Sequence, residues 1–239
     1  MAELPGTVDL NADLGEEVTD DAALLAVVTS ANVACGYHAG SADIMRTVCA
    51  EAARRGVAVG AQVSYADREG FGRRRTDVAA EVLREQVADQ VGVLGAIAVS
   101  EGTAVRYLKP HGALYHRAIE DEVQAGAVLA GSGDLPVLGM PGALLRLATG
   151  AGREVWHEGF PDRGYDGTGR LLPRDRPGAV LDDVRAVSAQ ALALAPLVDS
   201  LCLHGDAPGA VAHASAVRRA LEAAGWSLRP VGAPDILGT

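Results

Sequence analysis

Seven short apolar runs recur along the chain, and a longer segment follows nearly every one with helical spacing. The runs are "TVDLNAD" (7–13), "ANVAC" (31–35), "VAVGAQV" (57–63), "VRYLKP" (105–110), "PVLGM" (136–140), "EVWHEGF" (154–160) and "SLCLHGD" (200–206). Most are rich in valine, leucine and alanine and lack clean polar alternation. That is the pattern of strands covered on both faces, as in a parallel sheet.

The intervening segments carry helix signals. Ser41 can cap a helix over 42–55, whose Ile44, Met45, Val48, Cys49 and Ala52 form one stripe, with Gly56 closing it. A long helix is predicted over 77–99, with Leu83, Val87, Val91 and Leu94 three or four apart. Others are predicted at 20–29, 119–131, 142–150, 182–197 and 209–224. Seven strand-then-helix units predict a parallel barrel or a doubly wound sheet. No linker or internal repeat interrupts them, so a single domain over 1–239 is expected. The longest irregular stretch, "PDRGYDGTGRLLPRDRPG" (161–178), is expected to be functional rather than disordered, because it includes an apolar "LL".

Composition narrows the function. The 239 residues carry 21 Lys+Arg against 31 Asp+Glu, a formal charge of −10. That argues against non-specific nucleic-acid binding, which needs basic surface, but not against a small anion held locally. No apolar run is long enough for a membrane span, and the N-terminal stretch lacks the basic-then-apolar order of a signal peptide. Cys35, Cys49 and Cys202 are expected to be reduced, buried thiols, and the location cytoplasmic. There is no P-loop, no dinucleotide fingerprint, no nucleophile elbow and no C-x-x-C pair, which removes the classical serine hydrolase and structural zinc readings.

The polar residues are placed with a pattern. "NAD" ends the first run, "CGYH" follows the second, "QVSY" the third, "KPH" the fourth, "HEGFPDR" the sixth and "HGD" the seventh. Sequence-distant polar groups therefore collect at the carboxyl ends of strands, where barrels and open α/β sheets build their sites. Asn11, Asp13 and Glu16 suit either capping of the next helix or a place in the mouth. His38 lies in a glycine-flanked turn that allows close approach. Lys109 and His111 flank Pro110 and would share a face if the strand persists that far. His204 and Asp206 repeat that spacing and suit acid–base chemistry or metal coordination. His116 and His213 fall in helical patterns without an assigned role, and His157 is left between mouth and outer face.

Taken together, "DLNADLGE", "TSANVACGYHAGSADIMRTV", "GFGRR", "LKPHGALYH", "EGFPDRGYDGTGRLLPR" and "CLHGDAPGAV" resemble the LamB/YcsF family, in order from about residue 7 to residue 226. The resemblance implies a seven-stranded (β/α) barrel related to the glycoside hydrolase/deacetylase superfamily. It implies the part of an A subunit in ATP-dependent opening of the 5-oxoproline lactam to L-glutamate, together with separate B and C subunits. The family's polar signature falls on Asn11, Asp13, Glu16, His38, Lys109, His111, Asp162, Arg163, His204 and Asp206. Within it, Asp13, His38, His111, His204 and Asp206 are the expected catalytic groups, with acid–base work on the attacking water assigned to Asp13, His111 or Asp206. Asn11, Glu16, Lys109, Asp162 and Arg163 are the expected substrate contacts, Lys109 and Arg163 holding a carboxylate or phosphoryl group. A divalent metal, if bound, is expected on Asp13, His38 and His111.

The chain departs from the family pattern at "GAQVSYAD", where the family carries a histidine and a proline at the positions of Gln62 and Val63. An amide neither ligates metal nor moves a proton as an imidazole does. "GEEVTDD" is shorter than the usual insertion, and no hairpin separates 182–197 from "SLCLHGD". Two other readings therefore stand beside the first. One is a stand-alone metal-dependent amidase or deacetylase using Asp13, His38 and one of His111 or His204. The other is a divergent, non-catalytic binding subunit.

Overall fold

The computed structural model describes residues 6–18, 20–206 and 209–233. Seven parallel strands close a barrel: β1 (Thr7–Leu14), β2 (Ser30–Ala34), β3 (Ala58–Val63), β4 (Val105–Pro110), β5 (Val137–Gly139), β6 (Val155–Gly159) and β7 (Ser200–Leu203). They pair in the order β2-β3-β4-β5-β6-β7-β1, and β1 also pairs with β2, which closes the ring. An eighth, two-residue strand, β8 (Ser227–Leu228), extends the ladder on Thr7 and Val8 of β1. The doubly wound alternative is thereby excluded.

Helices cover the outside: α1 (Asp21–Leu25), α2 (Ala42–Arg55), α3 (Ala80–Ser100), α4 (Gly112–Glu120), α5 (Glu122–Gly131), α6 (Ala143–Gly150), α7 (Val184–Leu194) and α8 (Ala210–Ala223). α2 follows its sequence signals closely. Ser41 accepts from the Ile44 N–H, Gly56 ends the helix in the left-handed region, and Met45, Val48, Cys49 and Ala52 are buried. The helix expected over 119–131 is instead two helices hinged at Asp121. Its side chain accepts from the Val123 and Gln124 N–H groups, a cap strong enough to start α5.

The barrel wall separates chemistry by residue parity. In β1, Val8, Leu10, Ala12 and Leu14 join the apolar core under the helices. Asp9, Asn11 and Asp13 face the other way, as the two-residue strand period requires, and they are just as buried. Their partners come from the adjoining β2 and the residue before it, from β7 and, for Asp13, also from Lys109 across the lumen. Asp9 accepts from Thr29, Ser30 and Ser200; Asn11 bonds Ser200 and Asn32; Asp13 bonds Asn32 and Lys109. The Tyr107 hydroxyl donates to Asn32 at 2.7 Å. Barrels of this kind usually fill the interior with branched apolar side chains; this one fills it with a hydrogen-bonded polar column that ends at the mouth.

The segment at 161–178 is ordered by two isolated antiparallel bridges, Arg163 with Val180 and Tyr165 with Leu171. Leu171 packs on a small apolar cluster of Tyr115, Phe160 and Cys202 beside the mouth. All three cysteines are buried free thiols.

Candidate active site

Two clusters of titratable groups meet at the carboxyl end of the barrel. The first is built by the turns after β1, β2 and β4. Glu16 Oε1 lies 3.5 Å from His38 Nε2 and 3.5 Å from His111 Nε2. The two imidazoles stack with centroids 4.1 Å apart. Gln62, at the end of β3, donates its amide N–H to the same Glu16 oxygen at 3.1 Å. The position where the chain departs from the family pattern therefore lies inside the cluster.

The "GFGRR" loop forms the wall of this cluster. Phe71 sets its ring edge-on to His38 and His111 at 5.7 and 5.5 Å, and does so from a left-handed backbone conformation that a bulky residue rarely adopts. Gly72 and Gly112 make the approach possible: a methyl group on Gly112 would collide with the Gly72 carbonyl. The Ala113 N–H donates to that same carbonyl and the His111 N–H to Val63, which fixes α4 against the loop.

The second cluster lies at the top of the polar column. Lys109 Nζ donates to Asp13 Oδ1 at 2.8 Å, lies 3.1 Å from Cys202 Sγ, and lies 3.7 Å from Glu158 Oε2. Burial would raise the Asp13 carboxyl, but Lys109 and His204 hold it below its ordinary value. Burial pushes Glu158 up, with Lys109 pulling the other way. For Lys109, burial opposes the charge, yet Asp13, Cys202 and Glu158 keep its pKa well above the usual lysine value. Beside this pair, His204 Nδ1 lies 2.9 Å from Asp162 Oδ2, which also accepts the His204 backbone N–H at 3.0 Å. Burial raises Asp162 and His204 more than offsets it, leaving that carboxyl below its usual range.

Both clusters reach one cavity of about 340 Å³, the first through His111 and the second through Asp13, Lys109 and His204, with Phe160 and Arg174 also in its walls. His111 is driven well below the usual imidazole range, by burial first and then by His38, Arg73 and Lys109. These causes oppose protonation of His111 and favour the uncharged ring, whose lone pair suits a cation.

Several expected positions are corrected. Asn11 lies one layer below the mouth, with its side chain engaged by Ser200 and Asn32, so it braces the lumen. Lys109 and His111 do not act from one face. β4 ends at Pro110, and His111 belongs to the turn that starts α4. Asp206 is engaged by Arg73 at 2.5 Å across the rim. Arg163 commits Nε and Nη2 to the carbonyls of Ala179 and Leu172. His157 is on the exposed outer side of β6, where Asp199 accepts its backbone N–H; its neighbour Glu158 takes the inward position. His213 bonds the Asp182 carbonyl, as its unassigned role allows, whereas His116 borders the cavity.

The metal set changes as well. Among the described residues, Glu16, His38 and His111 offer one ligand atom each within 4.8 Å of one another, while the Asp13 carboxylate is spent on Lys109 and Asn32. The donor chemistry fits a divalent cation. One carboxylate and two imidazoles with open positions is a catalytic zinc set, and tetrahedral bonds of that kind place ligand atoms roughly 3.4 Å apart. Among the described residues, the buried His38 nitrogens, His111 Nδ1 and Gln62 Oε1 have no hydrogen-bond partner, and a buried polar atom left so is costly unless something binds it.

Comparison with known proteins agrees with the geometry. A protein from Streptomyces avermitilis, described as the A subunit of 5-oxoprolinase, is 53% identical over 242 residues, covering 91% of this chain and 97% of its own. The crystal structure of a lactam utilization protein from Thermus thermophilus superposes with a TM-score of 0.87 at 36% identity, covering 93% of this chain and 99% of its own. A peptidoglycan N-acetylglucosamine deacetylase domain from Eubacterium rectale shares the fold alone, at 12% identity and a TM-score of 0.56, with 97% and 90% covered. The LamB/YcsF family profile matches residues 8–235, and the chain belongs to that family.

Proposed function

We infer that the chain is the A subunit of a 5-oxoprolinase, opening the 5-oxoproline lactam to L-glutamate. The observation that carries this reading is that two sets of titratable groups reach one small cavity: Glu16, His38 and His111 through His111, and the Asp162–His204 dyad through His204. The relatives' descriptions support the lactam as substrate.

Asp162 fixes the proton on His204 Nδ1 and leaves Nε2 free to accept a proton and return it to the leaving nitrogen. Lys109 keeps its charge and borders the cavity, where it can stabilise negative charge developing on the carbonyl oxygen. Asp13 holds Lys109 in place. A divalent cation on Glu16, His38 and His111 would supply Lewis-acid polarisation and a more acidic water. Opening an unstrained lactam with water is difficult to drive to completion, so ATP is the proposed co-substrate. The missing P-loop fits nucleotide handling shared with B and C subunits.

A second reading, a metal-dependent amidase working alone, is favoured by the Glu16–His38–His111 set. Glutamate formation from 5-oxoproline, measured with and without ATP and candidate B and C subunits, separates the two. Activity only in the ATP-containing mixture is expected. There, His111→Ala and Asp13→Ala should each lower turnover by about 10²–10⁴-fold in a folded chain. ATP-independent activity of the lone chain would favour the second reading, and no activity in any arm defeats both. Metal content is the companion measurement: His38→Ala should lose bound divalent metal, and Gln62→His should retain it.

A further inference from the structure

The positive charge around the cavity is not distributed evenly. Three carboxylates of the rim and floor have a close basic partner: Asp13 beside Lys109, Asp162 beside His204 and Asp206 beside Arg73. Arg174 borders the same cavity from the 161–178 segment, is exposed, and forms a salt bridge with none of these carboxylates, although its charge reaches Asp162. Arg163 borders it too; its guanidinium hydrogen bonds go to backbone carbonyls, and the Asp162 carboxylate offsets part of its charge. The two arginines press on each other: burial first and then Arg174 lower Arg163. The turn into α4 also borders the cavity at Gly112 and Ala113, but the Ala113 N–H is taken by the Gly72 carbonyl, which leaves the arginines as the groups that can meet an anion. A chain of net charge −10 thus places two guanidinium groups, Arg163 and Arg174, on one wall of one pocket.

We propose that Arg174, supported by Arg163, binds the carboxylate of the substrate and so selects a lactam acid over a plain lactam. This rests on the functional reading above. Cavity size favours a small anion: about 340 Å³ is at the small end of the roughly 300–1,000 Å³ range of ligand sites. The remaining wall suits the ring, since Pro110, Phe160, Leu171 and Pro173 are apolar. A guanidinium fork matches a carboxylate in two parallel hydrogen bonds, which an ammonium cannot do. The residues expected from sequence to hold the anion, Lys109 and Arg163, are already committed, and Arg174 takes that place.

The test is calorimetric binding of three probes to the whole chain: 5-oxoproline, 2-pyrrolidinone (the same ring without the carboxylate) and inorganic phosphate. Wild type should bind 5-oxoproline more tightly than 2-pyrrolidinone. Arg174→Ala should weaken 5-oxoproline by roughly tenfold to a hundredfold, the worth of a charged hydrogen bond, and leave 2-pyrrolidinone unchanged. Arg174→Lys should fall between. Because Arg174 is exposed, thermal unfolding of both variants should match wild type. If 5-oxoproline binds but ignores Arg174, the inference is overturned while the lactam reading stands. If neither lactam binds and phosphate binds through Arg174, both the carboxylate assignment and the lactam reading fail. Binding of none of the three probes also overturns the inference.

Discussion

Lys109 is the residue on which the two halves of the site depend. Its side chain is almost fully buried between Asp13 and Glu158, where an ion pair contributes little net stability but a broken pair leaves an uncompensated charge. Lys109→Met should therefore cost about 3–5 kcal/mol. For a chain of this size that lowers the melting temperature by roughly 6–20 °C. The double variant Asp13→Asn/Lys109→Met removes both charges and should recover at least half of the loss in a chemical-denaturation series. A single variant as stable as wild type would show that the ammonium is not held as a buried ion. The contrast with Arg174, whose replacement should leave stability alone, separates a residue that builds the site from one that reads the ligand.

At the level of elements, the mouth depends on two turns approaching more closely than side chains allow. Gly112 and Gly133 have the same φ of 59°, but only Gly112 has backbone in the way: a β-carbon there would lie 2.9 Å from the Gly72 carbonyl carbon and closer still to its oxygen, whereas nothing lies within 4 Å at Gly133. Both alanine variants bear the left-handed strain of about 1–2 kcal/mol. Gly112→Ala should lose about 1–3 kcal/mol more from overpacking, read as the difference between the two urea midpoints. Equal losses would mean that the α4 turn and the "GFGRR" loop are not locked together. The strands and most helices were legible because period and caps are local. The site was legible only in part. Strand-end position pointed to His38, His111 and His204, but which carboxylate meets which base depends on cross-barrel partners. Asp13 was expected to join the imidazoles and instead meets Lys109, while Glu16, three residues on, has passed the strand end and reaches them. Glu158 could have been read from parity, since it alternates with His157 in β6; Arg73 and Arg174, both on loops, gave no periodic signal.

For the molecule as a whole, the polar column ties stability to pH through its lowest member. Asp9 is buried in the lumen, accepts from Thr29 at 2.6 Å and Ser30 at 2.7 Å, and accepts from Ser200. Burial raises its carboxyl to about 6 from an ordinary 3.8, even with those hydroxyls pulling it down. Because the folded pKa lies above the unfolded one, the folded barrel holds the proton more tightly than the open chain. Its contribution is fully present below about pH 4 and is lost as pH rises through about 6. A gap of roughly two pKa units corresponds to roughly 3 kcal/mol. β1 carries Asp9 and pairs with both β2 and β7, so this loss falls where the barrel closes and should appear in global unfolding. Asp9→Asn keeps the shape and cannot ionise. The stability difference between wild type and Asp9→Asn, followed by denaturant unfolding from pH 4 to pH 7, should move against wild type by up to that amount and level off above about pH 6. A difference that stays flat across the range would show that the lumen holds Asp9 as readily charged as neutral, and that the column is an ion-binding interior rather than a proton-holding one.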